Sequence, residues 1–355
     1  MIGQGIDNSP AATHNGRMNV LVTGGAGYVA SHCVRALCDA AHHVTVLDNL
    51  HKGHQQAVDR RAEMSIGDLA DVELLGRVFA KGRFEAVMHF AALAEVSESV
   101  REPLLYYRTN VTNSIALLEA MREHGVRTFV FSSSCAVYGV PPAVPITEDM
   151  PTAPISPYGR TKLAIEWALG DCAIAWGLQA IALRYFNAAG AAADGAIGED
   201  HAPESHLVPR ILQVALGKER EMLIFGDDYD TPDGTCIRDY VHVEDLAAAH
   251  RLAIEMPPSP RPTTASARPV GRFCAYNVGA GRGHSVMEVI AAAREVTGHP
   301  IPCSIGPRRA GDPPALYADS ARIARQLGWS PRYAAIRDIV SSAWLWHRGH
   351  PHGFA

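Results

Sequence analysis

Tyr158 and Lys162 stand four residues apart in Tyr158-Gly-Arg-Thr-Lys162, directly after Ser156-Pro157, a pair suited to opening a helix. At that spacing both side chains share one helix face. An ammonium there, acting together with a second positive charge near the site, would lower the phenol pKa from about 10 toward neutrality, which would make Tyr158 a base. Taken alone, the same spacing also suits a solvated helix face. Ser134 lies just past the strand-like run Thr128–Ser132. At the carboxyl edge of a parallel sheet its hydroxyl would lie within reach of Tyr158, so that three polar groups converge. A serine run at a strand end is otherwise an ordinary loop.

A second constellation opens the chain. Val20-Leu-Val-Thr-Gly-Gly-Ala-Gly-Tyr-Val-Ala30 reads as an apolar strand, a glycine turn and a helix start, with Gly24, Gly27 and Ala30 three residues apart. Glycine permits the tight turn and lets the backbone approach a pyrophosphate, which the first amides of the helix bind. A lone glycine pattern is often only a turn, but here Asp48 ends the next strand, Val44-Thr-Val-Leu-Asp48. A carboxylate there accepts from the adenosine ribose hydroxyls and repels a 2′-phosphate, which selects NAD over NADP. With an oxidised nicotinamide close by, a second positive charge would act on the Tyr158 phenol. Gly67-Asp68-Leu69 follows the third strand, where Asp68 would either reach the adenine amino group or cap a helix over Asp71–Ala80.

These residues require a particular frame. From Asn19 to Arg184 short β-rich runs alternate with helix-length stretches, the pattern of βαβ units. The predicted strands are Val20–Thr23, Val44–Leu47, Met64–Ile66, Ala86–Phe90, Thr128–Ser132 and Ala180–Leu183, several apolar throughout as if covered on both faces. The predicted helices include Gly27–Ala40, Leu104–His124 and Pro157–Trp176. The expected fold class is α/β: a Rossmann-type, doubly wound parallel sheet with a smaller C-terminal α/β substrate-binding region. After Asn187 the alternation weakens, and Gly, Pro, Asp and His collect in 188–206 and 226–235. The expected division is a flexible leader over 1–17, an NAD-binding domain over 18–186, and a mainly substrate-binding region over 187–355 with returning Rossmann elements. The Pro-rich stretch 257–271 lacks apolar periodicity and reads as a mobile insertion.

The 355 residues, 47% of them hydrophobic, are enough for a sizeable core. A formal charge of −5 gives no basic field, so neither nucleic acid nor an anionic membrane is an expected partner. Phosphates must be caught locally. No apolar run approaches the ~20 residues that cross a bilayer. Seven scattered cysteines without a C-x-x-C pair suggest a reducing compartment and a cytoplasmic location. Cys135 has no adjacent activating base and reads as packing rather than as a nucleophile. The tail histidines His347, His350 and His352 read as a solvated terminus, and no metal is expected.

Several motifs then occur in one order: the glycine turn; Asp48-Asn49-Leu50; His89-Phe90-Ala91-Ala92; Phe131-Ser-Ser-Ser-Cys-Ala-Val-Tyr-Gly139; Tyr158-x-x-x-Lys162; Arg184-Tyr-Phe-Asn187; and Gly234-Thr-Cys-Ile-Arg-Asp-Tyr-Val-His242. In these the chain resembles the extended short-chain dehydrogenase/reductases and, within them, the UDP-glucose 4-epimerase family, from about Asn19 to His350. The resemblance implies that Tyr158 removes the 4-hydroxyl proton of a UDP-sugar, with Ser134 as relay and Lys162 in support. C4 is oxidised and reduced again from the other side, and NAD stays tightly bound. It implies cofactor contacts at Gly24, Gly27, Tyr28, Val29, Asp48, Asn49, Leu50, Asp68, Leu69, Phe90, Ala91, Ala92, Ala94, Ser132, Tyr158, Lys162, Tyr185 and Phe186. It implies substrate contacts at Ser134, Tyr158, Asn187, His206, Leu207, Leu223, Phe225, Arg238, Arg309, Asp312 and Leu316. Arg238 and Arg309 would grip the diphosphate and Asp312 the uridine ribose. For Phe186 and Tyr185 core packing competes with a place beside the nicotinamide. A homodimer, through two helices that include Leu104–His124, is a further expectation.

Two departures bear on the activity. Ala94 stands where the family commonly carries a lysine, which would weaken NAD retention, and Leu316 replaces a larger tyrosine, which would admit UDP-N-acetylhexosamines. UDP-pentoses are an alternative substrate class. A nucleotide-sugar dehydratase ranks lower, because Cys135-Ala136 stands where such relatives place an acidic pair. A non-catalytic dinucleotide-binding protein ranks lower too, since it would not need Tyr158, Lys162 and Ser134 together.

Overall fold

The computed structural model describes residues 16–257, 271–309 and 312–354. Nearly all of the leader 1–17 and of the insertion 257–271 lies outside the described residues. The elements begin β1 (Asn19–Thr23), α1 (Tyr28–Asp39), β2 (His43–Asp48), β3 (Glu63–Ile66), α2 (Val72–Gly82), β4 (Ala86–His89), α3 (Val96–Arg101), α4 (Pro103–Tyr106), α5 (Asn113–Glu123), β5 (Thr128–Ser134), α6 (Pro157–Trp176) and β6 (Gln179–Tyr185). They continue with β7 (Asn187–Ala189), α7 (Leu207–Ala215), β8 (Met222–Phe225), β9 (Ile237–His242), α8 (Val243–Ile254), β10 (Arg272–Val278), β11 (Gly283–Ser285), α9 (Val286–Thr297), β12 (Cys303–Gly306), β13 (Ala315–Leu316), α10 (Ala321–Leu327) and α11 (Ile336–Gly349).

Seven strands form one sheet in the order β10-β6-β5-β4-β1-β2-β3, and every neighbouring pair is parallel. Strand direction alternates the side chains between two faces. On one face Val20, Val22, Val44, Val46, Met88 and Val130 pack with Cys33, Val34 and Leu37 of α1 and Leu246 and Ala249 of α8. On the other, Leu21, Leu47, Val87, Phe129 and Phe131 pack with Leu75 and Phe79 of α2, Leu117 of α5, and Ile165 and Leu169 of α6. Helices on both faces explain why β4 is buried at every position. The strand order reverses between β1 and β4, so a crevice opens there at the carboxyl edge.

The predicted single helix over Leu104–His124 is instead α4, a π turn over Tyr107–Thr112, and α5. The wider turn coincides with tertiary contacts: Asn110, fully buried, accepts from Leu93 N at 2.8 Å and donates to Leu93 O at 3.0 Å and Thr161 Oγ1 at 3.1 Å. It thereby ties the loop after β4 to the helix that carries Tyr158 and Lys162.

Beyond β6 the chain builds smaller units. β7, β9, β11 and β13 form a second sheet, and β8 and β12 a parallel pair. Their core gathers Val208, Ile211 and Leu212 of α7, Val289 and Ile290 of α9, and Ile339 and Val340 of α11. β10 returns to the edge of the large sheet beside β6. Among the described residues no helix is long and apolar enough to cross a membrane, and all seven cysteines are unpaired.

Candidate active site

At the crevice, Gly24 has φ +73°, and a Cβ there would stand 2.5 Å from Ala91 N, so the turn after β1 lies directly against the turn after β4. Thr23 O accepts from both Phe90 N and Ala91 N, at 2.9 and 3.0 Å, and fixes that approach. Gly27 is the N-cap of α1, which has no side-chain cap and no acidic residue in its first turn. Around a Cβ at Gly27 only Gly24 O falls within 4 Å, at 3.3 Å. An uncapped helix start opening on clear space fits a pyrophosphate. The Tyr28 hydroxyl turns away and donates to Gly190 O at 2.6 Å.

Asp48 is 8% exposed at the end of β2. Its Oδ2 accepts from Ala26 N at 2.9 Å and its Oδ1 from Leu50 N at 2.8 Å. The carboxylate is thus fixed, with further lone pairs for ribose hydroxyls. Asn49 Nδ2 donates to Asp68 Oδ2 at 2.6 Å. The helix-capping alternative for Asp68 is corrected: Asp71 caps α2, accepting from Leu74 N at 2.9 Å. Leu69 packs into the core and Ala94 is exposed.

Ser134 is the last residue of β5 rather than just beyond it. Its side chain lies close enough to the Tyr158 phenol to favour the phenolate, and its hydroxyl accepts from Ala136 N at 3.2 Å. α6 starts where Ser156 Oγ accepts from Gly159 N at 3.1 Å with Pro157 in the first turn. That start presents Tyr158 and Lys162 inward, 8% and 3% exposed. Lys162 Nζ donates to Ser132 O at 2.8 Å and lies 5.8 Å from the Tyr158 ring centre. Ser132 Oγ is 2.9 Å from the Tyr185 hydroxyl.

The electrostatics divide the expected acidification between the protein and its cofactor. Burial pushes the Tyr158 phenol well above its ordinary value, and Tyr185 adds to the rise while Ser134 opposes it. Burial also pushes the Lys162 ammonium down to about 7, against the upward pull of Glu166. The protein's own groups therefore do not acidify the phenol. A lowered phenol in this pocket requires further positive charge, of the kind an oxidised nicotinamide carries.

The sequence reading missed the residues that brace this helix. Glu166 lies one turn beyond Lys162 and pairs with Arg184, Oε2 to Nη2 at 2.5 Å, while Ser133 donates to its Oε1 at 2.6 Å. Arg184 also donates to the Tyr138 hydroxyl at 2.9 Å, which donates to Asn277 Oδ1 at 2.7 Å. The network joins α6, β5, β6 and β10. Its signal was the continuation Tyr158, Lys162, Glu166 at successive four-residue steps.

On the substrate side, Arg238 of β9 lies in register with Leu316 of β13 and pairs with Asp312 at 3.2 Å. The Arg309 guanidinium stacks 4.0 Å over Phe225, and Leu223 lies on the same strand. Asn187 begins β7 opposite Tyr240. Phe186 is buried with Val137, Tyr138 and Leu163. Nδ1 of His206 faces Glu199 and Glu204, each at 2.9 Å, and Leu207 starts α7 beside it.

Comparison with known proteins agrees with this geometry. Residues 20–279 match the NAD dependent epimerase/dehydratase family. The chain is 51% identical to the UDP-glucose 4-epimerase of Halalkalibacterium halodurans over 338 residues, 95% of this chain and 98% of that one. It is similar to the crystal structure of UDP-glucose 4-epimerase from Brucella ovis in complex with NAD, at 47% identity and TM-score 0.86 over 92% of this chain and 97% of that one. It is equally similar in shape to the Bifidobacterium longum enzyme in complex with NAD+ and UDP, at 40% identity and TM-score 0.88 over 94% and 99%.

Proposed function

The chain belongs to the NAD dependent epimerase/dehydratase family, and we propose that it inverts C4 of a UDP-hexose, interconverting UDP-glucose and UDP-galactose through a 4-keto sugar. NAD is the cofactor; when bound, it supplies reversible hydride acceptance at the nicotinamide. The observation that carries the reading is the buried Tyr158 phenol beside the Ser134 side chain, with Lys162 in the next turn, at the open edge of a dinucleotide fold.

The remaining roles belong to the chain's own residues. Tyr158 takes the 4-hydroxyl proton and returns it, with Ser134 as relay. Gly24, Gly27 and Asp48 hold the cofactor's pyrophosphate and ribose, and the second turn with Asn49 and Asp68 holds its adenosine. Arg238 and Arg309 hold the substrate diphosphate and Asp312 the uridine ribose, so that the keto-sugar turns about an anchored nucleotide. We assign cofactor binding mainly to 18–186 and substrate binding mainly to 187–355. Cys135 argues against elimination: burial pushes its thiol up to about 12, which makes it neither acid nor base where a dehydratase needs both. Leu316 on β13, beside Arg238, supports a second activity on UDP-N-acetylhexosamines.

The seven free cysteines support a cytoplasmic location. Exposed Leu104, Ile115, Trp167 and Ile174 on α4, α5 and α6 support a homodimer through these helices.

The test incubates the purified protein with UDP-galactose, UDP-N-acetylgalactosamine and UDP-xylose. Conversion of UDP-galactose to UDP-glucose is expected, and Tyr158→Phe should lose turnover by at least about 10²-fold while still binding UDP and NAD. A stable 4-keto-6-deoxy product from UDP-glucose would overturn the assignment. Turnover of UDP-galactose alone would remove the N-acetylhexosamine activity.

A further inference from the structure

The segment between β7 and α7 carries Glu-x-His twice, as Glu199-Asp200-His201 and Glu204-Ser205-His206. It folds so that one carboxylate oxygen from each glutamate and one ring nitrogen from each histidine all lie within 4.8 Å of one another. Nδ1 of His206 is 2.9 Å from Glu199 and 2.9 Å from Glu204, and Nδ1 of His201 is 3.2 Å from Glu199 and 3.7 Å from Glu204. A tetrahedral ion with bonds of about 2.0–2.1 Å has ligand–ligand edges of about 3.3–3.4 Å. The observed separations bracket that edge.

We propose that Glu199, His201, Glu204 and His206 form a closed, structural binding site for one divalent ion of the zinc class. Two imidazoles with two carboxylates are the donors of zinc and its neighbours, whereas calcium and magnesium favour all-oxygen sets of six or more. Both glutamate side chains are only 4% exposed, a costly place for two negative charges without a cation. Nδ1 of His201 is sealed from solvent and, although at ion-pair distance, is misaligned for a hydrogen bond. Of the four, only His206 is among the substrate contacts that the family resemblance implies.

The surroundings say what the ion would do. The Tyr28 ring, at the start of α1, meets the His201 ring edge-on at 6.2 Å. Trp346 of α11 donates its indole N–H to Glu199 O at 3.2 Å. His206 immediately precedes α7 and Leu207. An ion here pins the loop leading into α7 between the first turn of the cofactor helix and α11, so it positions rather than catalyses.

Tyr28 and His347 also face the two carboxylates, and Asp200 and Lys218 line the same cavity. Because a metal ligand must be deprotonated, affinity should rise with pH.

The experiment uses the full chain without a polyhistidine tag, stripped with chelator and titrated with zinc chloride or cobalt chloride. The expected result is one ion per chain, the intense visible bands of tetrahedral cobalt, and tighter binding as pH rises from about 6 to about 8. H201A and E204Q should each weaken zinc binding by about 100-fold or more, with circular dichroism confirming the fold, while the tail variant H347A/H350A should bind normally. Failure of the wild-type chain to bind zinc stoichiometrically overturns the proposal. So does binding that survives in both H201A and E204Q, or that is lost in the tail variant alone.

Discussion

Replacing Arg184 with leucine should cost far more than breaking an ordinary ion pair. The Glu166 and Arg184 side chains are 2% and 8% exposed. The substitution removes three N–H contacts to Glu166, at 3.0, 3.2 and 2.5 Å, and leaves its carboxylate with the Ser133 hydroxyl at 2.6 Å. The Tyr138 hydroxyl loses its guanidinium donor as well. An uncompensated buried charge of this kind costs about 3–5 kcal/mol, against about 0–1 kcal/mol for an exposed pair. Glu166→Leu strands the guanidinium instead and should cost a similar amount. The double variant removes both charges, so its cost should fall short of the sum of the singles by about 2 kcal/mol or more. The assay is urea denaturation of all four proteins at one fixed NAD concentration, since bound cofactor raises apparent stability. Additive single costs, or single costs near 1 kcal/mol, would refute the claim that the pair is desolvated and braces α6. Glu166→Leu also removes the upward pull on Lys162, whose ammonium should then titrate further below about 7.

Three further outcomes follow from the same geometry. Gly24→Ala should cut NAD affinity by at least about tenfold, because a Cβ 2.5 Å from Ala91 N at φ +73° forces the turns after β1 and β4 apart; unchanged NAD binding in a fluorescence titration would contradict this. Asp48→Ala removes the acceptor of Ala26 N and Leu50 N together with the charge facing the ribose, so NAD should weaken while NADP weakens less or gains. Its failure would be an unchanged ratio of the two dissociation constants. Burial lowers His32, His242 and His250 to about 4 and His89 to about 3, so the unfolded chain binds more protons. Their contribution to stability is present above about 6.5 and is lost as pH falls toward 4; a urea midpoint that stays flat over that interval would count against it.

Most of the frame was legible because its causes are local. Alternation of β-branched strands with helix-length runs dictates a parallel sheet, and Gly24, Asp48, Ser134, Tyr158 and Lys162 all fall at strand ends or helix starts, where such a sheet exposes side chains at one edge. What escaped depends on partners distant in sequence. Nothing near Leu104–His124 reveals the π turn, which coincides with Asn110 meeting Leu93 and Thr161. Likewise Glu166 reads as one more polar residue on a helix until β6 brings Arg184 against it. The resemblance implies a substrate contact at His206, but only the fold of the loop reveals that its ring also meets Glu199 and Glu204.

The Tyr158 phenol shows which part of a site a spacing rule can carry. Tyr-x-x-x-Lys fixes two side chains on one helix face, and the structure keeps them there, with Nζ 5.8 Å from the ring centre. Spacing says nothing of solvent, and solvent decides the sign. At 8% and 3% exposure both charged forms are disfavoured, so burial raises the phenol and lowers the ammonium at once. The ammonium also spends a hydrogen bond on Ser132 O at 2.8 Å, which orients it and Ser132 together, while Ser132 in turn meets the Tyr185 hydroxyl. Lys162 is therefore first a positioning group in this pocket. The buried Glu166 behind it, which alone among its neighbours pulls the ammonium upward, is what keeps a positive charge available one turn from the base.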